Sequence, residues 1–265
     1  MISFTSAQLN LWLASFFWPF FRILALVATA PLLGAQGVPA TVKVGIAFVL
    51  TVVIAPVLGT MPAVQPASAY GLFILIQQVM IGIAMGLAMQ MVFTTIEMAG
   101  HIMGLQMGLG FATFFDPQNS SQVPVLGQFL GLMAMLLFLA IDGHLMMITA
   151  LVESFSILPI GLHAFSGEGW HTLVLWGGEI FRGGMMLSLP AVAVLMMTNV
   201  ALAVLTRAAP QLNIFAVGFP VTMAVGFIVI AISLGYFFPL FATMFETGVQ
   251  MMLRVVADAN SAAVF

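Results

Sequence analysis

Residues 72–95 read LFILIQQVMIGIAMGLAMQMVFTT, without a single Asp, Glu, Lys or Arg. A helix needs ~20 apolar residues to cross the hydrocarbon core of a bilayer, and this run is long enough. It is also continuous, unlike the ~10-residue alternating strands of a membrane β-barrel. A helix satisfies its own backbone N–H and C=O groups, which hydrocarbon requires. The stretch therefore predicts a transmembrane helix. Gly82 and Gly86 stand four apart within it, a spacing that lets another helix come close.

The rest of the chain has the same character. Of its 265 residues, 63% are hydrophobic and 5% are charged, whereas a soluble domain carries about 25% charged residues. The shortage runs the whole length, so the expected fold class is all-α: a polytopic membrane protein. There is no cysteine, which removes disulfides, thiolate metal sites and cysteine nucleophiles. A net charge of −3 is too small and scattered to point to nucleic acid. The 21 methionines read first as lipid-facing and core packing, and second as soft seals for irregular surfaces.

Working outward from the opening run, about six apolar segments are expected at bilayer-scale length. The first is Leu9–Leu33; Met1–Phe21 holds no Lys or Arg, so it reads as a retained membrane segment and not as a leader. A turn at Gly34–Lys43 leads to Val44–Gly59, and a Pro-containing loop at Met61–Ala69 precedes the opening run. Glu97–Pro124 reads as a long interruption. Val125–Leu139 opens a fourth segment reaching Leu151, and Glu153–His171 is a second loop. Leu173–Leu205 is too long for one plain span, and Gly183, Gly184 and Pro190 predict a kink or break in it. Arg207–Asn213 is a tight loop, Ile214–Phe245 the last segment, interrupted by Pro220, Gly235 and Pro239, and 254–265 a mobile tail. Lys43 and Arg207 fall on one side against Arg254 on the other, so positive-inside counting puts the first two, with the 97–124 interruption, in the cytoplasm.

Charges inside apolar runs need partners, a wet cavity or another subunit. Arg22 is expected in an intrachain ion pair first, and against a neighbouring subunit or conduit second. Glu179 and Arg182 are three apart and should neutralise each other. Glu97 and His101 are four apart and share a helical face. Asp142-Gly143-His144 reads as an interfacial helix end, while His163 and His171 sit in a Gly-rich loop. No ligand spacing joins the four histidines into a metal site. The sequence motifs of zinc proteases, phosphate-binding loops and serine hydrolases are also missing. No catalytic, cofactor-binding or metal residue is therefore assigned.

Within the long interruption, residues 104–118 read GLQMGLGFATFFDPQ. Phe111, Phe114 and Phe115 crowd a segment that holds no charge before Asp116. Each Phe left in water forfeits ~1.5–3 kcal/mol of burial. The segment should pack against its own helices or occlude a hole. Gly104, Gly108 and Gly110 supply a permissive backbone, Met103 and Met107 soft packing, and Asp116-Pro117 an end.

Three motifs in order, 104–111 with 116–118, 140–144 with Ser154-Phe155 and Leu158-Pro159, and 209–215 with 218–220, resemble the FliR family of flagellar type III export-gate proteins. The resemblance spans nearly the whole chain as one domain, 1–265. It implies helical hairpins in a helical channel assembly, in the bacterial inner membrane at the flagellar basal body and extending toward the periplasmic side. It implies FliP-like and FliQ-like subunits and an FlhB-like switch protein as partners, unfolded flagellar proteins as cargo, and no cofactor. The loop Gln106–Gln122 would be a channel plug, carried by Gln106, Met107, Gly108, Gly110, Phe111, Phe114, Phe115, Asp116 and Pro117. Arg207, Pro210, Gln211 and Asn213 match the late-loop motif, and Arg22, Glu97, Glu179 and Arg182 would be structural or inter-subunit charges.

Two other classes stand beside this one. A stand-alone secondary transporter or ion channel would use the same four charges as intramembrane sites, although no internal symmetry accompanies them. An intramembrane enzyme lacks any nucleophile, acid–base or metal constellation.

Overall fold

The computed structural model describes residues 6–35, 37–59, 62, 64–65, 68–111, 124–161, 166–211 and 213–260, with the side chains of these except 6–14, 111 and 214–215. The described residues form helices and no strand: α1 Ser6–Thr29, α2 Ala40–Ile54, α3 Ala69–Gln106, α4 Val125–Ala140, α5 Gly143–Ile157, α6 Gly167–Gly177, α7 Glu179–Ala208 and α8 Ile214–Asn260. Four stretches of helix are long and apolar enough to cross a membrane, or five if the broken pair α4–α5 counts as one span. The chain is an all-α polytopic membrane protein. Of these stretches α3 is the inner one: 56% of its apolar window is buried, against 11% for 167–208.

Several boundaries differ from those expected. α3 runs on through Glu97 and His101 to Gln106, because both side chains sit on its exposed face and do not need a loop. The run 125–151 is broken at Asp142, which takes left-handed φ 57° and ψ 29°. Of the kink or break expected at 183–190, no break occurs: the helix runs through it. Pro190 lies inside α7, as Pro220 and Pro239 lie inside α8. Proline is tolerated in membrane helices where neighbours and side chains re-satisfy the freed groups. The helix is interrupted only at Gly178, between α6 and α7, where the backbone stays right-handed at φ −63° and ψ −26°. The expected mobile tail is helical to Asn260, with Val255, Val256 and Ala259 buried; 261–265 lie outside the described residues.

The chain forms two compact units. The first comprises Met1–Met91, Asp142–Gly177 and Phe245–Phe265. Here α3 lies along α1 at the Gly82 and Gly86 positions. A Cβ on Gly82 would strike Arg22 O and stand 2.7 Å from Ala25 Cβ; one on Gly86 would strike Thr29 Oγ1 and stand 3.1 Å from Ala30 N. Only glycine permits that approach. Above these contacts Arg22 is fully buried. Its Nε donates to Gln78 Oε1 at 2.8 Å, one terminal nitrogen to Ser154 O and Oγ at 3.0 and 3.2 Å, and the other to Leu158 O at 2.9 Å. The guanidinium also stands 4.2 Å from the centre of the Phe155 ring. The expected ion pair is thus replaced by neutral acceptors on α3 and at the end of α5.

After α1 the chain turns at Leu32, φ 70°, and Lys43 Nζ donates to Gly34 O at 2.9 Å. Ser166 caps α6, its Oγ accepting from Glu168 N at 3.0 Å. α6 meets the end of α8 through Gly169, where a Cβ would come 2.8 Å from Val255 O, and through Thr172 Oγ1 donating to Asp258 Oδ2 at 2.6 Å. Asn260 Nδ2 donates to Ile157 O at 3.0 Å, and Trp176 Nε1 to Ala88 O at 2.9 Å.

The second unit comprises Val92–Ile141 and Gly178–Met244. α3 meets α4 at Gly100, where a Cβ would stand 2.6 Å from Leu126 O and 2.7 Å from Gly127 Cα. Phe93 and Phe138 pack edge-on at 5.4 Å between ring centres. α7 comes close at Gly183 and Gly184, where a Cβ would stand 2.7 Å from Thr95 Cγ2 and 2.9 Å from Met98 Cγ.

Two stability predictions follow from the first unit. Arg22→Lys keeps the charge but cannot hold Gln78 Oε1 and Leu158 O together, and each buried acceptor left bare costs ~1–3 kcal/mol. The unfolding midpoint of the detergent-purified chain should fall accordingly, and an unchanged midpoint would contradict the network. Gly86→Leu should abolish recovery of folded protein, while Gly45→Leu, where a Cβ would meet nothing within 4 Å, should leave recovery within the usual ±0.5 kcal/mol of a surface change. Monodispersity on size exclusion reads both.

Candidate channel-closing hairpin

The site is the turn that joins α3 to α4 in the second unit. α3 ends by bonding Met107 N to Met103 O at 3.0 Å and Gly108 N to Leu105 O at 3.0 Å. Gly108 then takes φ 82°, the left-handed conformation that stops helices and that glycine adopts without a Cβ penalty. A 3-10 turn over Leu109–Phe111 follows. The chain re-enters at Pro124, which starts α4 with Gln128 N bonded to Pro124 O at 2.9 Å.

The departing root is held firmly. Met107 is fully buried. A Cβ on Gly226 of α8 would stand 2.5 Å from Met107 Cγ and 2.6 Å from its Sδ, so glycine at 226 makes the slot for that side chain. Thr222 Oγ1 donates to Met107 O at 3.3 Å, tying the last backbone carbonyl of the root to α8. The returning root is held by Gly100 against Gly127, and by Leu126 Cδ1 at 3.7 Å from the Cβ position of Gly104. Gly100 and Gly108 thus have different tasks: one admits α4, the other ends α3.

Of the residues expected in the plug, Gln106 closes α3, Met107 is clamped, Gly108 makes the turn, and Gly110 and the backbone of Phe111 lie in the 3-10 turn. Phe114, Phe115, Asp116 and Pro117, with the rest of 112–123, lie outside the described residues. The late-loop residues are exposed. Arg207 sits in the last turn of α7, where a cation favours the helix dipole. Pro210 and Gln211 form the turn, and Asn213 starts α8, its Oδ1 accepting from Ala216 N at 3.4 Å and its O from the same N at 3.0 Å.

The four charges take different places. Arg22 belongs to the core network of the first unit. Arg182 pairs with Glu179 at 3.0 Å on the surface of α7. Glu97 lies on α3 against α4: a Cβ on Gly131 would stand 2.9 Å from its Oε1, so the glycine makes room for the carboxylate. No hydrogen bond or ion pair joins Glu97 to His101. Among the described residues no group of acidic, His or Cys side chains could hold a metal ion.

Sequence reading missed Gly226, Thr222, Gly127, Gly131 and Gln78. Gly127 and Gly131 carry the same four-residue spacing as Gly82 and Gly86, and Gln78 is a polar residue inside the most apolar run, so both signals were present. Nothing in the sequence near Gly226 ties it to Met107.

The family described as bacterial export proteins, family 1, matches residues 13–248. The flagellar biosynthetic protein FliR of Escherichia coli (strain K12) is 42% identical over 263 residues, covering 98% of each chain. The FliR of Pectobacterium carotovorum subsp. carotovorum is 41% identical, over 98% of this chain and 100% of its own. The FliR of Bacillus subtilis (strain 168) is 29% identical over 92% of this chain and 95% of its own. With the match running through α1 to α8 and through both roots of the hairpin, the chain belongs to the FliR family of bacterial flagellar export proteins.

Proposed function

We propose that this chain is a non-enzymatic subunit of the protein-conducting gate in the bacterial inner membrane, and that its α3–α4 hairpin closes the channel at rest. The observation that carries this reading is the contrast between root and loop. Both roots are held by close contacts at glycines, backbone to backbone at Gly100 and Gly127 and against the Met107 side chain at Gly226. The segment between them is apolar, uncharged up to Asp116 and rich in Phe. Non-helical backbone at membrane depth is tolerated where it is buried in protein or lines a cavity. Firm roots with an apolar segment between them suit a plug that is displaced without unfolding the helices beneath it. In this reading Phe111, Phe114 and Phe115 fill the bore, and Asp116-Pro117 ends the plug.

The gate is shared with FliP-like and FliQ-like subunits and contacts an FlhB-like switch protein; unfolded flagellar proteins are its cargo. The assembly extends toward the periplasm, so the long helices need not all lie across the bilayer. α3 alone is 38 residues, or ~57 Å at 1.5 Å per residue, well beyond a ~30 Å hydrocarbon core. The exposed apolar sides of α2, α4, α7 and α8 fit burial against lipid and other subunits. A stand-alone transporter is less well supported, since Arg22 and Arg182 are already engaged within the chain.

Deleting 110–118 should leave the assembled complex recoverable while making cells or vesicles leaky to small solutes; assembled gates that leak no more than intact ones would remove the plug role. Gly226→Val should push Met107 out of its slot and loosen the root. An intermediate leak is expected, above the unaltered gate and below the deletion, in the same solute-efflux assay.

A further inference from the structure

We propose that Glu97 receives a Lys or Arg from a helix of a different subunit, one that docks across the exposed face of the α3–α4 hairpin below its loop. This rests on the reading of the chain as a subunit of a larger gate.

The argument begins with the chain's own charges. It has 5 Lys and Arg, all within the described residues. Arg22 is enclosed by neutral acceptors, Lys43 donates to Gly34 O, Arg182 pairs with Glu179, and Arg254 lies 3.9 Å from Asp258. Arg207 remains. It is 23 residues beyond Gly184, which packs level with Met98, so it stands ~35 Å further along α7 at 1.5 Å per residue. No Lys or Arg of the chain is left to neutralise Glu97, the 112–123 segment contains neither, and no ion pair joins Glu97 to His101.

Yet the carboxylate is accommodated. Gly131 lies beneath it, with the Cβ position 2.9 Å from Oε1 and 3.0 Å from Cγ, and a Cβ on Gly127 would stand 2.8 Å from the Glu97 carbonyl oxygen. Two glycines on α4, one turn apart, seat this residue and its backbone. His101, one turn on along the same face, and Gln128 on α4 are exposed beside it, and the rest of the surface is apolar: Leu105 on α3 and Val125, Phe129 and Leu132 on α4 are exposed. A carboxylate set in an apolar helical surface calls for a paired cation. The occupant that fits is a helix with one Lys or Arg amid apolar side chains. A second copy of this chain fits poorly, because none of its helix-interior cations is free.

The test uses the assembled complex, purified through this chain, with Glu97→Gln and Glu97→Lys. Glu97→Lys should lower recovery of at least one other gate subunit by about tenfold or more, and Glu97→Gln by less. Changing one Lys or Arg of that subunit to Glu should restore recovery with Glu97→Lys. Equal recovery of the complex with all three side chains overturns the proposal, as does a loss that no charge reversal in any co-purifying subunit restores. Glu97→Gln is nearly isosteric, so it reports on pairing even if the lysine variant misfolds: with that misfolding, full recovery of the Gln variant counts against the pair. If the unaltered chain brings down no other subunit, the failure belongs to the gate reading and not to Glu97.

Discussion

Close backbone approach along α3 is the constraint on which the rest of the architecture depends. In lipid, apolar side chains gain nothing from leaving an apolar solvent, so helices associate through tight packing and hydrogen bonds. α3 supplies the packing twice, with Gly82 and Gly86 against α1 in one unit and Gly100 against α4 in the other. The same helix therefore organises both units, and its end becomes the root of the hairpin. Any side chain larger than hydrogen at these positions must separate backbones, and the polar contacts that rely on them would open with the helices.

Arg22 is the clearest of those polar contacts. Placing an Arg in a membrane helix costs ~2.5–3.5 kcal/mol on insertion scales, which is the size of one or two hydrogen bonds to a charged group at ~1.5–3 kcal/mol each. Four bonds and an aromatic face therefore outweigh that cost. The geometry is specific to guanidinium, whose planar fork reaches Gln78 on α3 and the carbonyls at the end of α5 at once. Neutral acceptors also explain why no acidic partner stands beside it in the sequence. Leu158 O, past the last turn of α5, has no helical N–H to accept, so Arg22 satisfies an orphan carbonyl as well as itself.

What the sequence made legible was whatever depends on neighbours along one helix. The apolar length of 72–95, the Gly82–Gly86 spacing and the Glu179–Arg182 pair are all local, and all three correspond to observed structure. The misreadings came from treating a polar or helix-breaking residue as a boundary. The interruption expected from Glu97 onward is helix as far as Gln106, with Glu97 and His101 on its exposed face. Pro190, Pro220 and Pro239 lie inside continuous helices, whereas the one-residue interruption of 167–208 falls at Gly178, with no proline near it. The C-terminal stretch looked mobile because it is mildly polar, yet that polarity is used: Asp258 accepts from Thr172 and Asn260 donates to Ile157. In the candidate site, Gly108 as a helix stop was readable from residue type. The Met107–Gly226 clamp joins positions 119 apart in the chain, and no periodicity reports it.

That clamp ties the end of α3 into the packing of the second unit. Moving α3 here would separate it from α4 and α8, exposing the glycine contacts and stranding Met107 O without Thr222. Such a change would disturb the packing of the whole second unit. At Gly108 φ is 82° and the helical bonding has ended, so the clamp sits one residue before the helix stops. Glycine adopts either sign of φ at little cost, so α3 ends there without a Cβ penalty. The clamp and the left-handed glycine are therefore complementary: the first holds the end of α3 against α8, and the second terminates the helix directly after the clamped residue.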